Sequence, residues 1–158
     1  MHAVVASGDA LRVTADLECI DSLDELAQLA VRQPDLYVRW SDNPDRDRDT
    51  GLSFDELTGV ELPGLSANGL AVEPWWRHRP LRLWLARRLY DYRHLPGMRG
   101  PDVRPWILEG EIVGRGPDNE PLVRCRRMIA WLSDRVIAEA TALIEAEPSE
   151  WGTLSRSS

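Results

Sequence analysis

The segment "WILEGEIVGRGPDNEPLVRCRRMIAW" (residues 106–131) decides the fold, because two apolar runs flank a stretch rich in turn-forming residues. Residues 106–113 and 122–131 predict paired β-strands, with residues 114–121, "GRGPDNEP", as the loop between them. Hairpins usually need only about two to five loop residues. The extra length indicates either a function or an insertion.

Periodic patterns elsewhere add helices and further strands to this hairpin. Residues 11–20 and 36–41 alternate as strands do, and apolar residues recur at helical spacing in residues 21–33, 80–95 and 133–147. This mixture predicts an α+β fold with a small, mainly antiparallel or mixed sheet and about three helices.

The chain length fits one compact domain, which we expect to span residues 1–150, and residues 151–158 predict a flexible tail. Residues 42–51, "DNPDRDRDTG", predict a mobile surface loop. Prolines and glycines make residues 57–76 mostly irregular, with room for a short strand or helical turn, and they break the chain again at 96–105.

All 19 basic residues are arginine. The absence of lysine excludes a Schiff-base lysine, a Walker-type phosphate lysine and a Ser-Lys dyad. Cys19 and Cys125 form no C-x-x-C pair, and only three histidines could add ligands, so no metal is expected.

The amino-terminal sequence has no basic leader, and no apolar run approaches about 18 residues, which predicts a cytoplasmic protein without membrane association. The net charge of -7 is uneven: residues 77–104 hold eight arginines against Asp91 and Asp102, about +6 in all. Such a basic segment can bind a small anionic ligand or a nucleotide, or it can pair with the acidic remainder of the molecule.

Two charged residues are candidates for a site. Arg39 lies within the strand predicted at residues 36–41 and needs either an anionic ligand or an ordinary ion pair. Glu120 precedes Pro121, which favours an extended backbone and so fixes where the carboxylate leaves the chain. The alternative for this loop is an Asx-type turn, in which Asp118 and Asn119 bond their own backbone.

Polar and aromatic residues in the irregular region extend the candidate site. Ser66 and Asn68 lie between glycines, where no regular element competes for their hydrogen bonds, although bonds within the loop would also explain them. Ser66 lacks a G-x-S-x-G elbow, which argues against hydrolase chemistry. Trp75 and Trp76, beside Arg77, could line a pocket. We do not expect the protein to bind nucleic acid, since the chain is acidic and carries no recognised nucleic-acid-binding motif.

The motifs "YVRWS", "LPGLSAN", "EPWW", "ARRLYDYRHL", "PWILEG" and "GRGPDNEPLV" together resemble an actinobacterial family of uncharacterised proteins, over about residues 22–140. The order of Arg39, Ser66 and Glu120 is also similar to the R-S-E pattern of ADP-ribosyltransferases. That resemblance implies an NAD-binding enzyme that transfers ADP-ribose or cleaves NAD. Arg39 would help to bind NAD, Ser66 would support the pocket, and Glu120 would stabilise an oxocarbenium-like transition state.

The sequence departs from that pattern in two ways. Residues 118–120 are Asp-Asn-Glu where the family has E-x-E or Q-x-E, and the second hydroxyl often found beside the serine is missing. The sequence "EGE" at residues 109–111 is an alternative match to the glutamate motif of that family.

Two other functions stay open. One is a non-catalytic binding or regulatory protein, whose tryptophans and arginines form a surface for a protein partner. The other is a small enzyme that acts on an anionic metabolite with Glu120 or Asp118 as general base. Both enzyme hypotheses require Arg39 and Glu120 to meet in one cleft, whereas the binding protein does not.

Overall fold

The predicted hairpin is present in a computed structural model, which describes residues 17–55 and 58–146. Its strands are longer than expected: they span Arg104–Arg115 and Pro121–Leu132 and pair antiparallel, from Trp106 opposite Trp131 to Arg115 opposite Pro121. The connection is therefore residues 116–120, shorter than the eight residues expected. Its length needs no functional explanation.

The remaining elements surround this hairpin. The helices of the described residues are α1 (Leu23–Arg32), α2 (Pro44–Thr50), α3 (Leu81–Tyr90), α4 (Leu95–Arg99) and α5 (Asp134–Glu145), with a 3₁₀ turn at Pro74–Trp76. The strands there are β1 (Glu18–Ile20), β2 (Leu36–Ser41), β3 (Ser53–Phe54), β4 (Glu61–Leu62), β5 (Leu65–Ser66), β6 (Asn68–Gly69), β7 (Arg104–Arg115) and β8 (Pro121–Leu132).

The α+β prediction is confirmed, and the three long helices α1, α3 and α5 are the three expected. The helix expected at residues 80–95 ends earlier, at Tyr90, and α4 follows after a turn. Of the strand expected at residues 11–20, only Glu18–Ile20 is a strand among the described residues, and residues 11–16 lie outside them. The predicted tail at 151–158 also lies outside the described residues.

The predicted mobile loop at residues 42–51 is wrong, because α2 occupies most of it. The side chain of Asn43 accepts a hydrogen bond from Arg46 N, Pro44 stands at the first turn, and Gly51 ends the helix with a φ of 65°. Asparagine, proline and glycine in these places are helix-boundary signals. The segment lacks an apolar stripe: its buried residues are Pro44 and Asp47, and Asp47 makes its buried contact through the carboxylate.

The sheet is mixed and curled. Its order is β1-β8-β7-β2-β6, with β1 parallel to β8 and the other pairs antiparallel, and β5 also pairs with β8. Residues 65–69 thus bond to β8 through β5 and to β2 through β6, which joins the two sides of the curl.

The curl separates two hydrophobic clusters. Leu36, Val38 and Trp40 of β2 face the larger cluster, beneath α1, α3 and α5, as the alternation of the strand predicted. The smaller cluster lies on the other face and comprises Ala67, Trp106, Leu108, Val123 and Met128, with Tyr37 packed against it. No helix in the described residues is both long and apolar enough to cross a membrane.

Candidate functional site

Arg39 extends from the face of β2 that carries the smaller cluster. Its Nε donates to Oδ2 of Asp47 at 2.8 Å, and Nη1 donates to the backbone oxygen of Ser66 at 2.9 Å. Asp47 also accepts two hydrogen bonds from Arg46, at Oδ1. The ordinary ion pair that the sequence left open for Arg39 is therefore formed.

Ser66 and Asn68 lie on the segment that joins β8 to β2. The backbone N–H of Ser66 donates to Oγ of Ser53, which in turn donates to the carbonyl of Gly64. Oδ1 of Asn68 accepts from the hydroxyl of Tyr92 at 3.4 Å. The interactions formed here hold the segment against its neighbours.

Glu120 folds back onto its own turn. Its Oε1 accepts from the backbone N–H of Asp118 at 2.9 Å, and Gly116 N donates to the backbone oxygen of Glu120. Asn119 takes a φ of 63°, a left-handed conformation that asparagine tolerates. The carboxylate of Glu120 thus stabilises the turn. The expected Asx-type turn would instead have used the side chains of Asp118 and Asn119.

The structure brings the three residues of the R-S-E pattern near one another. Arg39 contacts the backbone of Ser66, and Ser66 pairs with Leu122, two residues after Glu120. However, the side chains of Arg39 and Glu120 are bonded to Asp47 and to the hairpin turn, not to each other. A role for these residues with NAD stays a prediction.

Trp75 and Trp76 belong to a cluster with Trp84, with ring centroids 5.3–5.9 Å apart. Trp76 is buried, and its indole N–H donates to the backbone oxygens of Arg79 and Pro80. Trp75 is half-buried against the larger cluster, and Arg77 follows with a φ of 61°. The packing accounts for both tryptophans, and a pocket lined by them stays a prediction.

Two ionisable groups beside the smaller cluster have altered pKa values. Burial raises the pKa of the Cys125 thiol to about 11. Burial, helped by the nearby carboxylate of Asp35, also raises the pKa of Tyr37. Both groups are therefore kept neutral near pH 7, and neither is suited to act as a nucleophile there.

A cleft of about 640 Å³ opens elsewhere, between the turn after α3, the start of β7 and the start of α5. It is lined by Trp40, Arg93, Pro96, Pro101, Val103, Arg104, Pro105, Ser133, Asp134, Ile137 and Ala138. None of the residues predicted for the site lines it. A cavity of this size is within the range of small-molecule sites.

Among the described residues that line the cleft, two arginines and one aspartate are charged. Arg93 stacks on Tyr90 at 3.6 Å from the ring centroid, donates to the backbone oxygen of Tyr90, and reaches Glu145 at 4.0 Å. Arg104 stacks on Trp131 at 4.3 Å and forms no ion pair with a described residue. Asp134, in the first turn of α5, is likewise without an ion pair among the residues described.

Trp40 lines the cleft and also carries a buried polar group without a partner among the described residues. Only 5% of the surface of Trp40 is exposed, and its indole Nε1 has no hydrogen-bond partner among the described residues. A buried N–H without an acceptor costs about 1–3 kcal/mol. The other buried indoles described above do find acceptors: Trp76 bonds to backbone oxygens, Trp84 to Leu70 O and Trp106 to Ser41 Oγ.

Sequence reasoning missed this cleft because its residues come from four separate parts of the chain. One signal pointed toward it: both arginines belong to the basic segment 77–104. Among the residues described, no group of three or more His, Cys, Asp or Glu side chains is placed to hold a metal ion.

Comparison with known proteins identifies a family and no activity. The family model described as a family of unknown function, DUF6098, matches residues 13–152. The chain belongs to this family. The expected membership of an uncharacterised family is thereby confirmed. No curated protein and no solved structure matches the chain.

Proposed function

We propose that this member of the DUF6098 family binds a small anionic molecule, with carboxylate or phosphate groups, in the cleft between α4, β7 and α5. The observation that carries the proposal is that two residues line this cleft together: Arg104, which forms no ion pair with a described residue, and Trp40, whose buried indole N–H has no acceptor among the described residues.

Arg104 is the residue best placed to pair with the anion. Its guanidinium is held over the ring of Trp131, which limits the number of side-chain conformations and so reduces the entropy lost on binding. Because no described carboxylate neutralises it, its hydrogen-bond donors remain available to a carboxylate or phosphate in the fork geometry that arginine favours.

Trp40 adds a donor that is already desolvated. The N–H lies beneath the cleft surface, so the Trp40 ring must rotate slightly to present it. An acceptor oxygen on a ligand would then satisfy the N–H without removing a protein–protein hydrogen bond, since none is formed with the described residues. An apolar ligand would leave this group unpaired. The wall of the cleft thus favours a ligand that carries acceptors.

The N-terminal backbone of α5 also favours an anion, whereas the carboxylate of Asp134 on the same turn repels one. Ser133, Asp134, Ile137 and Ala138 of this turn and its surroundings line the cleft. The positive end of a helix dipole stabilises nearby anions by about 0.3–1 kcal/mol. The hydroxyl of Ser133 is already used, because it donates to Asp21 and accepts from Val136 N.

Isothermal titration calorimetry tests this proposal with inorganic phosphate and succinate as probes. We expect saturable binding by the wild-type protein and a loss of at least about tenfold in affinity in Arg104→Gln, the value of one charge-assisted contact. Arg115→Gln is the matched control, since Arg115 ends the same strand far from the cleft and donates only to Asn119 O among the contacts described. Absence of binding, or equal loss in both variants, would contradict the proposal.

NAD belongs in the same titration, because the R-S-E pattern implies it and because the molecule carries phosphates. The observation that favours this second function is the contact between Arg39 and Ser66. This second function requires that the wild-type protein release nicotinamide from NAD and that Glu120→Gln release it more slowly. Binding of NAD without nicotinamide release, weakened by Arg104→Gln and not by Glu120→Gln, would instead assign NAD to the cleft as one more anion.

A further inference from the structure

We infer that the ligand of this cleft is an acid that also carries a primary ammonium group, in the way of an amino acid or an aminoalkyl phosphate. The inference rests on the proposed function. It names the class of ligand that the charges of the same site would select.

The first step is the charge inventory of the lining. Arg93, Arg104 and the start of α5 supply positive potential, and Asp134 is the single carboxylate among the described residues that line the cleft. A ligand made only of anionic groups would be attracted by the arginines and repelled by Asp134.

The second step is the state of each charged group. Arg93 is partly neutralised by Glu145 at 4.0 Å, whereas Arg104 and Asp134 each have no ion pair with a described residue. Other carboxylates of α5 are paired: Glu139 with Arg135 at 3.5 Å and Glu145 with Arg93. Among the described residues that line the cleft, Arg104 is therefore the cation and Asp134 the anion without an ion pair.

The third step is complementarity with a zwitterion. A ligand acid group on Arg104 leaves its ammonium group to interact with Asp134, because both residues line the cleft. Such a ligand pairs with both charged lining residues that have no ion pair with a described residue. The apolar residues between them, Val103, Ile137 and the prolines, fit a short carbon skeleton.

Matched probe pairs test the inference by calorimetry with the full chain. Succinate and aspartate share one skeleton and differ by the amine, and ethyl phosphate and 2-aminoethyl phosphate differ in the same way. We expect the amine-bearing member to bind about fivefold more tightly, the value of one exposed ion pair near its upper limit. The two pairs distinguish a carboxylate ligand from a phosphate ligand.

Asp134→Asn should remove this preference, by weakening aspartate and strengthening succinate. The variant keeps the side-chain shape and lies on an exposed part of the helix, and thermal unfolding checks that it folds. Equal affinity within each pair, with no change of preference in Asp134→Asn, would overturn the inference and leave anion binding intact. Absence of binding by all four probes would overturn the proposed function as well.

Discussion

Arg39 and Asp47 form an ion pair with 2.8 Å between Nε and Oδ2, and only 12% and 2% of their side chains are exposed. Arg46 shares the same carboxylate through Oδ1 at 3.0 Å. The pair joins the short helix α2 to the sheet, and Arg39 then continues to the backbone of Ser66. The polar helix α2 is thus attached to the sheet by an ion pair, whereas most helices pack through an apolar face.

We predict that Asp47→Ala destabilises the protein by about 3–5 kcal/mol, because removing one partner leaves the guanidinium of Arg39 buried and unpaired. Urea unfolding followed by tryptophan fluorescence measures the change. Asp49→Ala is the matched control: Asp49 lies on the same helix and pairs with Arg48, but its side chain is 67% exposed, so about 0–1 kcal/mol is expected. Similar losses in both variants would contradict a special role for the buried pair.

Gly110 allows the hairpin strands to approach each other. A Cβ atom at this position would lie within 2.5 Å of both the backbone oxygen of Arg124 and a methyl group of Val123. Gly110→Ala should therefore destabilise the protein by about 1–3 kcal/mol, as overpacking does. Gly97→Ala in α4 is the control, since no neighbouring atom lies within 4 Å of its added Cβ. Differential scanning calorimetry should show a lower Tm for the first variant alone.

The two cysteines should differ in reactivity. Cys19 is exposed, whereas the Cys125 thiol is partly enclosed and its pKa is raised to about 11 by burial. Since the thiolate is the reactive form, iodoacetamide at pH 7.5 should alkylate Cys19 first and Cys125 only after denaturation. Mass spectrometry of the digested protein reads both sites. Alkylation of Cys125 in the native protein at the rate of Cys19 would count against its burial.

Stability should also depend on the ionisation of Cys125 at alkaline pH. The pKa of the folded-state thiol, about 11, lies above the ordinary value of 9.0, so the folded protein retains a proton that the unfolded chain loses. This contribution is complete below about pH 9 and is lost as the pH rises toward about 11, up to about 2–3 kcal/mol. Urea unfolding between pH 8 and pH 11 should therefore show a steeper fall for the wild type than for Cys125→Ala. Parallel curves would contradict the linkage.

Local patterns in the sequence were sufficient for the elements with one apolar face. The hairpin, the three long helices and the alternating faces of β2 follow from spacing alone. Ser22 caps α1 by accepting a hydrogen bond from Glu25 N. The helix α2 was missed because its inward contact is a carboxylate. The curl of the sheet could not be predicted from local patterns either, since it depends on residues 65–69 pairing with strands distant in the chain.

The candidate site shows the same limit. A single residue such as Arg39 could be recognised as needing a partner, but the partner, Asp47, lay in a segment expected to be a loop. The cleft gathers residues from β2, the turns around α4, β7 and α5, and only the clustering of arginines at 77–104 marked any of them in advance.

The most direct test of anion binding in the cleft is the indole N–H resonance of Trp40. Of the seven tryptophans, its peak in a ¹⁵N-¹H spectrum can be assigned by its loss in Trp40→Phe. Titration with inorganic phosphate should shift this peak saturably in the wild type, with the shift much reduced in Arg104→Gln and retained in Arg115→Gln. A peak of Trp40 that stays unmoved at millimolar phosphate and millimolar succinate would contradict the assignment of this cleft as an anion site.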